Sequence, residues 1–377
     1  MGLKRITATE ALGRLADFDT VIDARSESEF AEDRLPQAVN WPVLNDAERH
    51  IVGFQYKQVS PFAARKQGAV LAARNIAQHV ETQLVHRPRD WKPLVYCWRG
   101  GQRSGSLSLV LDQIGFSVNV LEGGYREFRR AIVAELEHLP LSMHFRVVIG
   151  RTGSAKSRLL HALHEQGEQV LDLEALACHK GSVLGPMPGQ PQPSQKRFET
   201  LVWEALRGFD PGRPVYAEGE SRTIGRLRVP EPVLESLRAA TCVQVEMALA
   251  SRVQFLLGDY DYFVADVESF CERLNALREL RGAAVITRWQ TEARAGQLAG
   301  VVQELLTEHY DPVYLRSIQR NFKQFDKAEA LNLPDGSPDT LRTAARRLAA
   351  MPMPARQPEQ IAGMVLQPAA PLPDAVG

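Results

Sequence analysis

Pro93-Leu-Val-Tyr-Cys97-Trp-Arg-Gly-Gly-Gln-Arg103-Ser104 is the stretch on which the fold turns. Its first four residues are a short apolar run that reads as a buried strand. Two glycines break the run, and from Ser104 to Ile114 the apolar residues Leu107, Val110, Leu111 and Ile114 recur at helical spacing. Strand, glycine turn and helix in that order put Cys97 where the N–H groups of the loop and of the helix N-terminus converge. Such a place stabilises a thiolate and cradles an anionic substrate. Gly100 and Gly101 permit the curvature, and Arg103 is placed to pair with a tetrahedral or sulfur-borne anion. Cys97 therefore reads as a reactive nucleophile, although a lone cysteine is more often buried and inert. Arg103 is its catalytic partner, and Trp98, Arg99, Gly100, Gly101, Gln102 and Ser104 form the substrate loop.

Around this stretch, Thr20-Val-Ile-Asp23 and Ser117-Val-Asn-Val-Leu121 read as further strands. Ser28-Glu-Phe-Ala-Glu-Asp33 reads as a helix, and another runs from about Tyr125 to His138 and stops at Pro140, where the first domain is expected to end. Strands alternating with helices predict a parallel sheet covered on both faces. A second α/β unit starts at Phe145-Arg-Val-Val-Ile149. Gly150-Arg-Thr-Gly153-Ser-Ala155-Lys156-Ser157 follows that strand and opens a helix, the setting a P-loop requires. The amides of Gly150, Thr152, Gly153, Ser154 and Ala155 would wrap a diphosphate, Lys156 would reach its terminal phosphate, and Ser157 is placed to ligate Mg²⁺. Ala155 stands where glycine is usual, and its methyl is expected to narrow the phosphate approach, so diphosphate binding is a firmer expectation than nucleotide hydrolysis.

Asp172-Leu-Glu174, after the strand candidate Gln169-Val-Leu, supplies either a magnesium-side acid or a helix cap. Glu218-Gly-Glu220-Ser221-Arg222 follows the strand Pro214-Val-Tyr-Ala217 and reads as two carboxylates and an arginine lining the ligand site. Thr241-Cys-Val-Gln-Val245 is one more strand, residues 255–348 read as mostly helical, and the glycine- and proline-rich residues 181–193 as a surface loop. The chain divides into domains 1–140 and 141–350 and a disordered proline-rich tail, 351–377.

Bulk properties exclude more than they assign. The 377 residues suffice for two cores, and 45 basic residues balance 45 acidic ones, so a polyanionic partner needs a local basic patch. Arg126, Arg129 and Arg130 form one such run and Arg222, Arg226 and Arg228 another, although solvated faces explain such runs more often. No apolar run approaches the roughly 18 residues of a membrane span, and no secretory signal is apparent in the first ten residues, so a cytoplasmic chain is expected. Cys97, Cys178, Cys242 and Cys271 lie far apart, which argues against a disulfide framework or structural zinc. Cys242 and Cys271 are expected in the core, Cys178 in a structural or substrate-lining role, and His161 and His164 on the surface; no metal ligand set is expected.

Asp23-Ala-Arg25 with Glu29-Phe30, then Leu35-Pro36-Gln-Ala38-Val-Asn40-Trp-Pro42, the Cys97 loop and Leu121-Glu-Gly-Gly124-Tyr125 together resemble a rhodanese domain. The order of that domain before a P-loop resembles the tRNA 2-selenouridine synthase family. So do the insertion from Gly53 to Gly68 and the blocks Asp172 to Ser182, Pro191 to Glu199 and Glu218 to Gly225. The resemblance implies an α/β chain with an N-terminal rhodanese-like parallel-sheet domain and a C-terminal P-loop α/β domain ending in a helical part. It implies a transferase that geranylates the wobble 2-thiouridine of tRNA with geranyl diphosphate, then replaces the alkylated sulfur by selenium from selenophosphate. Both would be co-substrates with no tightly bound cofactor, and an enzyme supplying selenophosphate would be a partner. One departure stands out: five residues separate Cys97 from Arg103, one more than sulfurtransferase loops usually have. That spacing resembles phosphatase relatives of the rhodanese fold and keeps open a sulfurtransferase or phosphatase fused to a P-loop kinase-like domain. A non-enzymatic sensor is a third reading, disfavoured by the full set of Cys97, Arg103, Lys156 and Ser157.

Overall fold

The computed structural model describes residues 3–182, 185–186, 189–219 and 221–354. Glu220 and the tail beyond residue 354 lie outside the described residues. The chain forms two compact units, Met1–Glu135 and Leu136–Gly377. The division falls at Glu135 and Leu136 rather than at Pro140, because Pro140 is buried in a short helix, Leu139–Ser142, that packs on helices Gln195–Arg207 and Glu231–Ala239 of the second unit.

In the first unit β1 (Lys4–Ile6), β2 (Thr20–Asp23), β3 (Ala38–Asn40), β4 (Pro93–Tyr96) and β5 (Asn119–Leu121) make one parallel sheet in the order β1-β5-β4-β2-β3. The central strand β4 is buried at all four positions, which is why its sequence reads as an unbroken apolar run. Cys97 follows at its carboxyl end, where open parallel sheets present ligand-binding residues. Trp41, Trp91, Val95, Leu107 and Leu111 pack in the core below it. The edge strands β1 and β3 escaped the sequence reading because each is three residues long with little burial. Residues 46–83 form two helices, Asp46–Gln58 and Pro61–Gln83, packed on each other. Asn45 and Glu48 box the first, and Ser60 caps the second with Pro61 behind it.

In the second unit β6 (His144–Gly150), β7 (Gln169–Leu171) and β8 (Pro214–Glu218) are followed by a small ribbon of β9 (Thr223–Ile224) and β10 (Leu227–Arg228), then by β11 (Thr241–Glu246) and β12 (Glu329–Asn332). The main sheet is parallel in the order β12-β11-β6-β8-β7, so β6 is central and the P-loop leaves it between β11 and β8. The helix Lys156–Glu165 buries Leu159, Leu160 and Leu163 against Leu341, Ala345 and Leu348 of the last helix, Pro338–Ala349. Residues 255–348 are mostly helical, and strand β12 is the exception that the sequence did not show. It is an edge strand with only Leu331 buried, too short to show alternation. The helices between β11 and β12 gather on their own core of Phe263, Phe270, Trp289, Val301 and Leu305. Among the described residues no helix is long and apolar enough to cross a membrane.

Candidate active site

Cys97 lies buried, with the Ser104 hydroxyl donating to its sulfur at 3.2 Å. Ser104 belongs to the first turn of the helix Gln102–Ile114, whose leading N–H groups open on the loop. The loop is anchored from the opposite side. Tyr125 N–H donates to the Cys97 carbonyl at 2.8 Å and Arg126 N–H to the Trp98 carbonyl at 3.1 Å. Gly124, at φ +60, makes this approach possible, since a Cβ there would lie 2.2 Å from the Cys97 carbonyl oxygen. The Trp98 ring stacks on Tyr125 at 5.4 Å. Tyr125 in turn donates to Asp33 at 2.8 Å and carries the Arg25 guanidinium over its ring at 4.1 Å. Arg25 is held by Asp23 at 2.6 Å, both wholly buried. The Asp23-Ala-Arg25 motif is thus a scaffold for the loop rather than part of its chemistry.

Arg103, expected to face an anion, instead donates to Glu29 at 2.6 and 3.3 Å. Arg49 also reaches Glu29, at 3.2 Å, so two guanidiniums meet one carboxylate and a net positive charge remains. Burial pushes the Glu29 carboxyl up, but bonds and charge from Arg103, the Ser26 amide and Arg49 outweigh it and hold the carboxyl below its ordinary value. Arg99 and Gln102 are exposed on the loop, as is Gly100, while Gly101 at φ +74 begins the helix. Among the described residues Arg99 has no carboxylate within ion-pair distance, which leaves it the open cation of the loop.

The P-loop is built by three backbone features. Gly150 closes on Val245, where a Cβ would sit 2.7 Å from the carbonyl oxygen, and Gly153 and Ala155 adopt positive φ of +80 and +61. The Ala155 methyl belongs to the hydrophobic core beside Leu159 and Val245. It points into the protein interior, so the expected narrowing of the phosphate approach does not occur; the cost of alanine here is backbone strain instead. Lys156 pairs with Glu218 at 3.1 Å, both largely buried, and the Ser157 hydroxyl donates to Glu218 at 2.9 Å and approaches Glu174 at 3.4 Å. Burial would push the Lys156 ammonium down, yet Glu218, Tyr314 and Glu174 outweigh it and raise it. Lys156 is therefore a fixed cation at neutral pH. Burial also pushes the Tyr314 hydroxyl up to about 12 while it accepts the Gly150 N–H.

Asp172 takes the capping role: its carboxylate accepts the Ala175 N–H at 2.8 Å and faces His161 at 3.1 Å, and Glu174 turns to Ser157 in its place. Glu218 is at the site, Glu220 lies outside the described residues, and Arg222 is exposed and paired with Glu231 at 3.0 Å, away from the lysine. Cys242 and Cys271 are buried, and Cys178 is partly buried at φ +49. Three residues went unread. Arg252, wholly buried, donates to the Thr152 carbonyl at 2.8 Å and grips Asp311 at 2.6 and 2.9 Å, steadying the loop with Tyr314 from far along the chain. No local pattern marks them. Glu174 had one signal, since an N-cap at Asp172 commits that carboxylate to the backbone. Beside Thr152 opens a narrow apolar cleft lined by Leu256, Tyr260, Phe263, Leu298, Leu305 and Leu306.

A cysteine loop on one parallel sheet and a phosphate-binding loop on a second define a rhodanese-like domain fused to a P-loop domain. The rhodanese-like domain family matches residues 7–131, and the tRNA 2-selenouridine synthase AAA domain family matches residues 143–281. A tRNA 2-selenouridine synthase of Marinobacter nauticus is 32% identical over 78% of this chain and 87% of its own length. One from Alcanivorax borkumensis is 31% identical over 78% and 88%. A third, from Nitrosomonas europaea, is 36% identical over 64% of this chain and 63% of its own. The chain belongs to the tRNA 2-selenouridine synthase family.

Proposed function

We propose that this chain converts the wobble 2-thiouridine of tRNA to 2-selenouridine through an S-geranyl intermediate, with the P-loop holding geranyl diphosphate and the Cys97 loop handling selenophosphate. The apolar cleft beside Thr152 carries this reading, because a diphosphate seated on the P-loop could lay a hydrocarbon tail along Leu256, Phe263 and Leu305. The cleft is narrow and open to solvent at one side, so an extended chain suits it better than a bulky group. In the first step the thiocarbonyl sulfur attacks C1 of the geranyl group, the C–O bond breaks, and diphosphate leaves toward the Lys156 ammonium. The alkylated sulfur is then a good leaving group. Selenium of the donor adds at C2 of the base, geranylthiolate departs, and hydrolysis of the P–Se bond releases phosphate. Cys97 would engage the selenium once its loop opens, with Arg99 the open cation for the donor's phosphate. Ser157, Glu218 and Glu174 form an all-oxygen group that suits Mg²⁺, which would neutralise diphosphate charge.

Nucleoside mass spectrometry of 2-thiouridine tRNA tests the reading, with wild type, Cys97→Ala and Lys156→Ala each given geranyl diphosphate with or without selenophosphate. The expected result is a geranylated nucleoside without selenophosphate and 2-selenouridine with it. Cys97→Ala should lose only the second step and Lys156→Ala the first. No modified nucleoside from folded wild-type protein would overturn the reading. Turnover of an aryl phosphate or of thiosulfate would then favour the phosphatase or sulfurtransferase.

A further inference from the structure

The basic runs seen in the sequence are largely engaged in the fold. Arg126 and Arg130 hold Glu127, Arg222 holds Glu231, and Arg226 donates to the carbonyls of Gln192 and Pro193. A different surface carries the open charge. From Arg49 to Val80 the sequence contains no aspartate or glutamate but has Arg49, Lys57, Arg65, Lys66 and Arg74, in a chain whose charges balance as a whole. These residues lie on the helices Asp46–Gln58 and Pro61–Gln83.

The fold sorts this hairpin into two faces. Ala64 and Ile76 are buried, and Asn75 bonds the Val43 carbonyl at 3.1 Å and Glu48 at 2.6 Å, so the inner face is anchored. On the outer face Phe62, Arg65, Lys66, Val70 and Arg74 recur at helical spacing, all exposed. The first helix exposes Phe54, Tyr56 and Lys57. The three rings are unusually bare, Phe54 at 60%, Tyr56 at 57% and Phe62 at 64%. Among the described residues Lys57, Arg65, Lys66 and Arg74 have no carboxylate within ion-pair distance, and the Lys66 ammonium lies 5.0 Å from the Phe62 ring centroid.

We propose that this outer face binds RNA, stacking unpaired bases of the tRNA on Phe54, Tyr56 and Phe62 while Lys57, Arg65, Lys66 and Arg74 neutralise its phosphates. The proposal rests on the reading of tRNA as substrate and says where the chain grips it. Exposed rings next to unpaired cations are what single-stranded nucleic acid requires: each ring offers a flat face to a base, and each cation meets a phosphate. The absence of acidic residues along 32 positions suits a polyanion and would serve a mixed-charge protein surface poorly.

The test is fluorescence anisotropy of labelled 2-thiouridine tRNA with the full chain over a series of salt concentrations. Wild type is compared with Lys57→Ala/Arg65→Ala/Lys66→Ala, with Phe54→Ala/Phe62→Ala, and with Arg126→Ala/Arg130→Ala. The triple variant should weaken binding and reduce the slope of log affinity against log salt by about 2–3, at about 0.7–0.9 per phosphate contact. The ring variant should weaken binding about tenfold or more with the slope unchanged. The Arg126/Arg130 variant should bind as wild type does. Unchanged affinity in both hairpin variants, with wild type binding, overturns the surface but leaves the substrate reading standing. A triple variant that loses affinity while the ring variant does not refutes base stacking. A wild type that binds no tRNA removes the substrate reading and this proposal with it. Unchanged thermal unfolding excludes misfolding, since every altered side chain is exposed.

Discussion

Gly124→Ala should unfasten the Cys97 loop, and its size can be worked out against Gly115→Ala. Both glycines have positive φ, +60 and +112, so alanine at either costs about 1–3 kcal/mol of backbone strain. Around Gly115 a new Cβ meets nothing within 4 Å. At Gly124 it would fall 2.2 Å from the Cys97 carbonyl oxygen, a backbone atom that cannot swing away. The chain must shift and lose the hydrogen bonds Tyr125 to Cys97 and Arg126 to Trp98, about 1 kcal/mol each. The two lost bonds thus add about 2 kcal/mol of loop opening at Gly124 that Gly115 does not carry. Those same two bonds keep the loop closed around Cys97, a residue only 4% exposed. Losing about 2 kcal/mol of closure raises the open population about thirtyfold. The assay is the rate of iodoacetamide alkylation at Cys97, read peptide by peptide by mass spectrometry so that Cys178, Cys242 and Cys271 do not confuse it. Gly115→Ala should alkylate at the wild-type rate and Gly124→Ala much faster. Equal rates in all three proteins would refute the claim that Gly124 locks the loop.

Glu29→Gln should destabilise the first unit at neutral pH, because the Glu29 carboxyl is held below its ordinary value in the folded state. That stabilisation is present above the ordinary glutamate range and disappears as pH falls through the lowered value. Urea midpoints of wild type and variant should therefore differ at pH 7 and converge in acid; a gap that stays constant would sink the assignment. Glu174→Gln should weaken Mg²⁺-dependent diphosphate binding by calorimetry more than Asp172→Ala, which should mainly lower thermal stability by about 1 kcal/mol through the lost cap. The reverse ranking would restore Asp172 to the metal side. Ala155→Gly should leave diphosphate affinity within about twofold, a shift of only a few tenths of a kcal/mol, since the methyl faces the core. A large gain in affinity would show that the methyl does obstruct the phosphates.

The sequence alone determined both loops and the inner strands beneath them. A buried central strand must be apolar throughout, and a chain that turns from strand to helix around an anion must use glycines at fixed offsets; both constraints are local and leave a pattern. Cys97, Lys156, Ser157 and Glu218 were legible for that reason. Tertiary structure decided what the charges do. Arg103 turned to Glu29 and Arg222 to Glu231, while Asp172 became a cap, because a charged group takes whichever partner the fold brings close and that choice has no periodicity. Arg252, Asp311 and Tyr314 reach the phosphate loop across 100 to 164 positions of chain, and the edge strand β12 is defined by its neighbour β11 rather than by its own residues. The bare rings and cations of the hairpin were in plain sight as residue types. Only the packing of Ala64, Ile76 and Asn75 showed which face was left to solvent, since that depends on which side of each helix the sheet domain covers.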